Sequence, residues 1–125
     1  MTKCAPQAIA AIDRMGFQVG LDSSCPVNPH YFIKSYQSAS EIILYSKLFT
    51  RITETHSPFA TLMCCSQAEE GCPFVPGSEL RISLNYKDPK IADGSPEEEK
   101  AYDQTLLLIG SEIHYVLSEV KQRLS

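Results

Sequence analysis

The chain has 125 residues, 43% of them apolar, and a formal net charge of −4, which is the length of one domain able to bury roughly two-thirds of the surface its unfolded form exposes. Acidic and basic side chains alternate along most of it instead of gathering into a basic stripe, which argues against phosphate-backbone binding and hence against nucleic-acid partners. No charged and then apolar leader opens the chain, and no apolar run approaches the roughly 20 residues that span a bilayer, so the expectation is a soluble, cytoplasmic protein forming one domain over residues 1–125, with no membrane partner.

Residues 5–17, APQAIAAIDRMGF, predict a short amphipathic helix. Pro6 suits its first turn, Ile9, Ile12 and Met15 form its stripe, and Gly16 is placed to end it in the left-handed conformation. The following LDSSCPVNPH is turn-rich. HYFIKSY and EIILYSKLF are two β-prone runs separated by QSAS, which predicts a hairpin. FATLMCC, after Ser57 and Pro58, is a continuous apolar run, the pattern of a strand buried on both faces of a parallel sheet, with its thiols at the C-terminal end.

In ELRISLNY, Leu80, Ile82, Leu84 and Tyr86 alternate with Arg81, Ser83 and Asn85, a strand with one buried and one wet face that runs into Asp88-Pro89. After KDPKIADG, Ser95 is a good N-cap, Pro96 sits at the first helical position and Glu98 completes a capping box. In the long helix that follows, Tyr102, Ile109, Ile113, Val116, Val120 and Leu124 recur at spacings of three, four or seven, so one face is expected to pack on a sheet for as many as seven turns, about the reach of residues 96–123. The order helix, hairpin, buried strand, strand, long helix predicts an α/β layer structure without repeats or linkers.

Five cysteines are an odd number, which argues for reduced thiols over a disulfide framework. Open α/β sheets gather functional groups at the carboxyl ends of their strands, where both Cys65 and Asp88 fall. If SQAEEG were helical, Cys65 and Cys72 would lie about 10 Å apart along its axis at ~1.5 Å per residue, too far for a disulfide, which needs Cα atoms within about 7 Å. The pair bridges only if the segment loops out, which would couple its redox state to its conformation. A thiol at the start of such a helix gains thiolate character from the dipole, while Glu69 and Glu70 oppose it. Spacing alone leaves structural burial ahead of redox pairing, with metal binding last: there is no C-x-x-C pair, and His30, His56 and His114 stand at no ligand spacing. Cys64 points the opposite way from Cys65 on a strand and is expected to be buried.

MCCSQAEEGCPFVPGSELRISLNYKDP, followed by DGSPEEEKAYDQTLLLIGSEIHYVLSEV, closely resembles the C-terminal half of bacterial proteins of the low-molecular-weight protein tyrosine phosphatase and thioredoxin-coupled arsenate reductase superfamily. The likeness runs from about residue 5 to residue 122. The C-S-x-A-[DE]-x-x-C-P run from Cys65 to Pro73 resembles the arsenate reductase branch, which implies that Cys65 and Cys72 pass an oxidised state to a thioredoxin-like reductant. Asp88-Pro89 resembles the superfamily's general acid. The fold implied is a phosphotyrosine-phosphatase-I-like sheet with flanking helices and a long C-terminal helix.

One departure bears on activity. Catalytic members carry a phosphate loop, a cysteine followed after five residues by an arginine. Here Cys4, Cys25, Cys64, Cys65 and Cys72 are followed six positions later by Ala10, Tyr31, Glu70, Gly71 and Ser78. That loop supplies the thiolate, the oxyanion cradle and the clamping arginine, so without it attack and electrostatic stabilisation go together. The resemblance also implies a sheet short of its central strand, as in a truncated product or a natural remnant, with self-association through an exposed sheet edge. Two functions fit: a phosphatase or arsenate-reductase-type protein that carries the relay cysteines and the acid and is inactive alone, or a non-catalytic pseudo-enzyme serving as an interaction or redox-sensing module. No cofactor is implied, and a soft-metal site at Cys64, Cys65 and Cys72 is the third reading.

Overall fold

A computed structural model describes residues 4–48, 50–51, 58–64 and 74–125. The elements are α1 (Pro6–Arg14), β1 (Gln18–Asp22), β2 (His30–Lys34), β3 (Glu41–Leu44), β4 (Phe59–Met63), β5 (Ser78–Ser83), a 3-10 turn (Pro89–Ala92) and α2 (Glu98–Leu124). The chain is mixed α/β and divides into two compact units, residues 1–46 with 89–125, and residues 47–88.

In the first unit, α1 begins where Pro6 needs no intrahelical partner and buries Ile9 and Ala11. It stops at Gly16, whose φ of 91° no branched residue would adopt cheaply, with the Gly16 N–H donating to the Asp13 carbonyl at 2.9 Å. The next three strands form an antiparallel meander in the order β1-β2-β3, with Val19 opposite Ile33 and Ile33 opposite Ile42. The expected hairpin is β2–β3. The sequence predicts no strand at β1, of which only Leu21 and Asp22 fall in the turn-rich LDSSCPVNPH: Gly20 interrupts it and only Val19 is half-buried, so as an edge strand it carries little apolar pattern of its own.

Side chains brace the connections of the meander. Asp22 Oδ1 accepts from the Ser24 N–H at 2.9 Å, an Asx turn that ends β1. Asn28 donates from Nδ2 to the Ser46 carbonyl at 2.9 Å and accepts the Ser46 N–H at 3.0 Å. A side-chain amide thus does there what a backbone amide does in a ladder.

α2 starts later than expected. Ser95 and Pro96 lie in the turn before it; Ser95 Oγ donates to the Ala92 carbonyl at 2.7 Å and accepts the Glu97 N–H at 3.2 Å. The Glu98 carboxylate reaches back to accept the Gly94 N–H at 2.7 Å, the reciprocal half of a capping box displaced by one residue. Within its unit α2 packs chiefly on α1 and the 3-10 turn, not on β1–β3, and Tyr102 is its one buried residue. Within this unit, the face expected to lie on a sheet meets α1 near its start, and α1 spans only nine residues. Beyond Tyr102, Ile109 and Ile113 are partly covered, Val116 and Val120 are each 46% exposed and Leu124 83%.

In the second unit β4 and β5 pair in parallel, Leu62 opposite Ile82 and Met63 opposite Ser83. Parallel pairing of FATLM with ELRIS is as expected. Burial on both faces of β4 is not: Phe59, Thr61 and Met63 turn inward while Ala60 and Leu62 face solvent, the period-two alternation of a strand with one covered face. Thr61 Oγ1 donates to Ser78 Oγ at 2.7 Å and Ser78 Oγ to the Leu80 carbonyl at 2.8 Å. Ahead of β5, Pro76-Gly77 makes a turn with Gly77 at φ 82°, the position that asks for glycine in a type II turn.

Candidate functional site

Because β4 and β5 run the same way, their carboxyl ends share one edge of the second unit. The Leu84 N–H donates to the Met63 carbonyl at 2.8 Å, carrying the pairing one step past the last strand residues. Cys64 follows immediately. On the other strand the chain passes Tyr86, which is buried at 9% exposure, before Lys87 and Asp88 emerge exposed. Asp88 is therefore five residues beyond β5, not at the strand's end as the sequence suggests, with the buried Tyr86 between them. Pro89 then opens the 3-10 turn, whose preference for extended backbone at the residue before it suits Asp88.

Cys64 is a free, exposed thiol, its Sγ 3.9 Å from the Leu62 carbonyl oxygen. That overturns its expected burial. With Met63 turned into the unit, its neighbour must point outward, a consequence hidden by reading β4 as covered on both faces. Cys65 and Cys72, the expected redox pair, lie outside the described residues, as does the connection SQAEEG. Cys4 is a half-buried free thiol and Cys25 an exposed one. Among the described residues no three His, Cys, Asp or Glu side chains stand close enough to hold a metal ion.

Elsewhere the titratable groups serve local structure. Asp22 is held below the usual carboxylate range, first by the Ser24 backbone N–H, then by the Ser24 hydroxyl, with the nearby His30 adding a smaller pull. His30 itself stacks on Tyr45 with ring centroids 4.4 Å apart. Arg14 grips Asp103 with Nε at 3.0 and 3.1 Å and Nη2 at 2.6 Å from its oxygens, a bidentate pair between α1 and α2. It raises the Arg14 pKa above its ordinary value. Two open hollows adjoin α1, one of about 370 Å³ lined by Ile9, Asp13, Val19 and Tyr31 among others, and one of about 280 Å³ near Arg14, Glu98 and Tyr102. Neither includes Cys64 or Asp88.

No protein-family model, no curated protein and no solved structure matches the chain. Among the described residues no helix is long and apolar enough to cross a membrane.

Proposed function

We propose that the chain is a protein of the phosphatase and arsenate-reductase type that carries a relay dithiol, Cys65 and Cys72, and an acid, Asp88, and that by itself turns over neither a phosphate ester nor arsenate. The observation that supports this reading is the parallel pairing of β4 with β5, which puts Cys64, the residue before Cys65, and the strand that leads on to Asp88 at the same end of the two-stranded sheet. General acid catalysis asks for that placement, since a proton donor is useful only near the group that departs. The inactivity follows from chemistry: no cysteine in the 125 residues has an arginine six positions on, so no nucleophile comes with a cradle for the developing charge. The dithiol works in two-electron steps, two thiols losing two protons and two electrons to an oxidant and regaining them from a thioredoxin-like reductant.

The test is an assay of the purified chain with p-nitrophenyl phosphate, and with arsenate plus thioredoxin and its reductase. No turnover above buffer is expected with either substrate. Turnover that iodoacetamide abolishes would contradict the reading and make one of the thiols a nucleophile in its own right.

A further inference from the structure

Asp93 and Gly94 form the one Asp-Gly pair in the chain; the other aspartates precede Arg14, Ser23, Pro89 and Gln104, and neither Asn28 nor Asn85 precedes a glycine. An aspartyl side chain is open to attack by the backbone nitrogen that follows it, which closes a succinimide ring, and glycine presents that nitrogen with no Cβ beside it. Both residues are exposed, in the connection between the 3-10 turn and α2. A Cβ built on Gly94 would meet nothing within 4 Å, so nothing crowds the ring that would form.

Two side chains of α2 hold the reacting groups. The Gly94 N–H donates to Glu98 Oε2 at 2.7 Å, and the Tyr102 hydroxyl donates to Asp93 Oδ1 at 2.8 Å. Tyr102 is 6% exposed, so its buried ring makes that hydroxyl a fixed anchor. On either side the backbone is tied as well, the Asp93 N–H to the Lys90 carbonyl at 3.1 Å and the Ser95 N–H to the Ala92 carbonyl at 3.0 Å. Ring closure swings the Asp93 carboxyl onto the Gly94 nitrogen and turns the peptide plane between them, so both side-chain bonds must open first.

We propose that Asp93-Gly94 is a self-modification site, at which the chain forms a succinimide and then an isoaspartyl bond, and that Glu98 and Tyr102 are the latch that sets its rate. The Gly94 nitrogen bonds to Asp93 Cγ, a Cγ–O bond breaks, and the oxygen departs as water with the amide proton and the carboxyl proton. Water then opens the imide. Addition at Cγ restores aspartate. Addition at the Asp93 main-chain carbonyl leaves Gly94 joined through Cγ, with one more carbon in the main chain and an α-carboxylate as the side group. No oxidant, cofactor or second protein takes part. The lengthened main chain no longer fits the turn that the Ser95, Glu98 and Tyr102 bonds close, so the start of α2 loosens next to Asp103, the residue Arg14 grips. The modification is thus a slow release of α2 from its turn.

The test keeps the purified full chain at neutral pH and physiological temperature, natively and in denaturing urea. Isoaspartate is read by enzymatic methyl transfer to its carboxylate and located by peptide mapping in heavy-oxygen water, since each imide hydrolysis leaves one heavy oxygen. It is expected at residue 93, forming more slowly in the native chain than in urea. Glu98→Ala and Tyr102→Phe should each raise the native rate about two- to tenfold, the worth of one hydrogen bond, and Glu98→Gln, which keeps an acceptor, should raise it less than Glu98→Ala. Rates in urea should be the same for all, which separates a latch from altered chemistry. Equal rates in the native and unfolded chain, native rates indifferent to both Glu98→Ala and Tyr102→Phe, or no heavy oxygen at residue 93 of the native protein would overturn the proposal.

Discussion

Tyr102 joins the long helix to the turn before it, with its ring buried and its hydroxyl donating to Asp93 at 2.8 Å. Tyr102→Phe keeps the ring and removes that bond, and is expected to cost about 0.5–1.5 kcal/mol in urea unfolding. Ala11 is 1% exposed, so Ala11→Leu overpacks α1 against its surroundings and should cost about 1–3 kcal/mol by the same measurement. Asp22 gives a pH signature. Its carboxyl titrates below the ordinary range because the folded turn supplies donors to the charged form, so the stabilisation is complete above the unfolded carboxylate pKa and is lost as pH falls through the lower, folded value. Carbon-13 NMR titration should show the depressed value, and Ser24→Ala, which removes the hydroxyl but keeps the N–H, should bring it part of the way back.

Elements were legible where the chain carries its own punctuation. Pro6 and Gly16 bracket α1 as the sequence implies, and QSAS separates the strands of a real hairpin. The alternating ELRIS pairs in parallel with FATLM. What escaped was what neighbours decide. β1 is a strand because β2 lies beside it, its own residues being too few and too exposed to say so. The two faces of β4 differ although its side chains are nearly all apolar, because covering depends on what lies opposite, not on composition. The apolar residues of α2 recur at helical spacing as expected, but only Tyr102 among them is buried, since periodicity states which side chains align and not what they meet. Turn chemistry is more local, and it yields a sharper prediction. Gly77 has φ 82° and lies 3.5 Å, at an added Cβ, from the Phe59 ring, an ordinary contact. Gly77→Ala should therefore be destabilising through the backbone alone, by about 1–2 kcal/mol, read as a lower urea midpoint with an unchanged slope.

At the scale of the molecule, the candidate site is partly legible in the sequence: two strand ends with thiols on one and Asp88-Pro89 beyond the other follow from the apolar runs and their boundaries. The outward turn of Cys64 was not, because it depends on which face of β4 is covered. The distance of Asp88 from its strand was not either, because ELRISLNY continues its alternation past Ser83 while the ladder stops. The function proposed rests on Cys65 and Cys72 acting as a reversible pair, and this is open to direct measurement. The seven-residue offset forbids a bridge across a regular helix, so the relay reading requires that the intervening residues form no regular helix when the disulfide closes. Oxidation of the chain with diamide, alkylation of the remaining thiols and mass-spectrometric peptide mapping should find a Cys65–Cys72 disulfide, with Cys64 alkylated and helical circular dichroism retained. A Cys64–Cys72 bond, or three thiols equally unreactive, would contradict the relay and leave these cysteines as structural side chains.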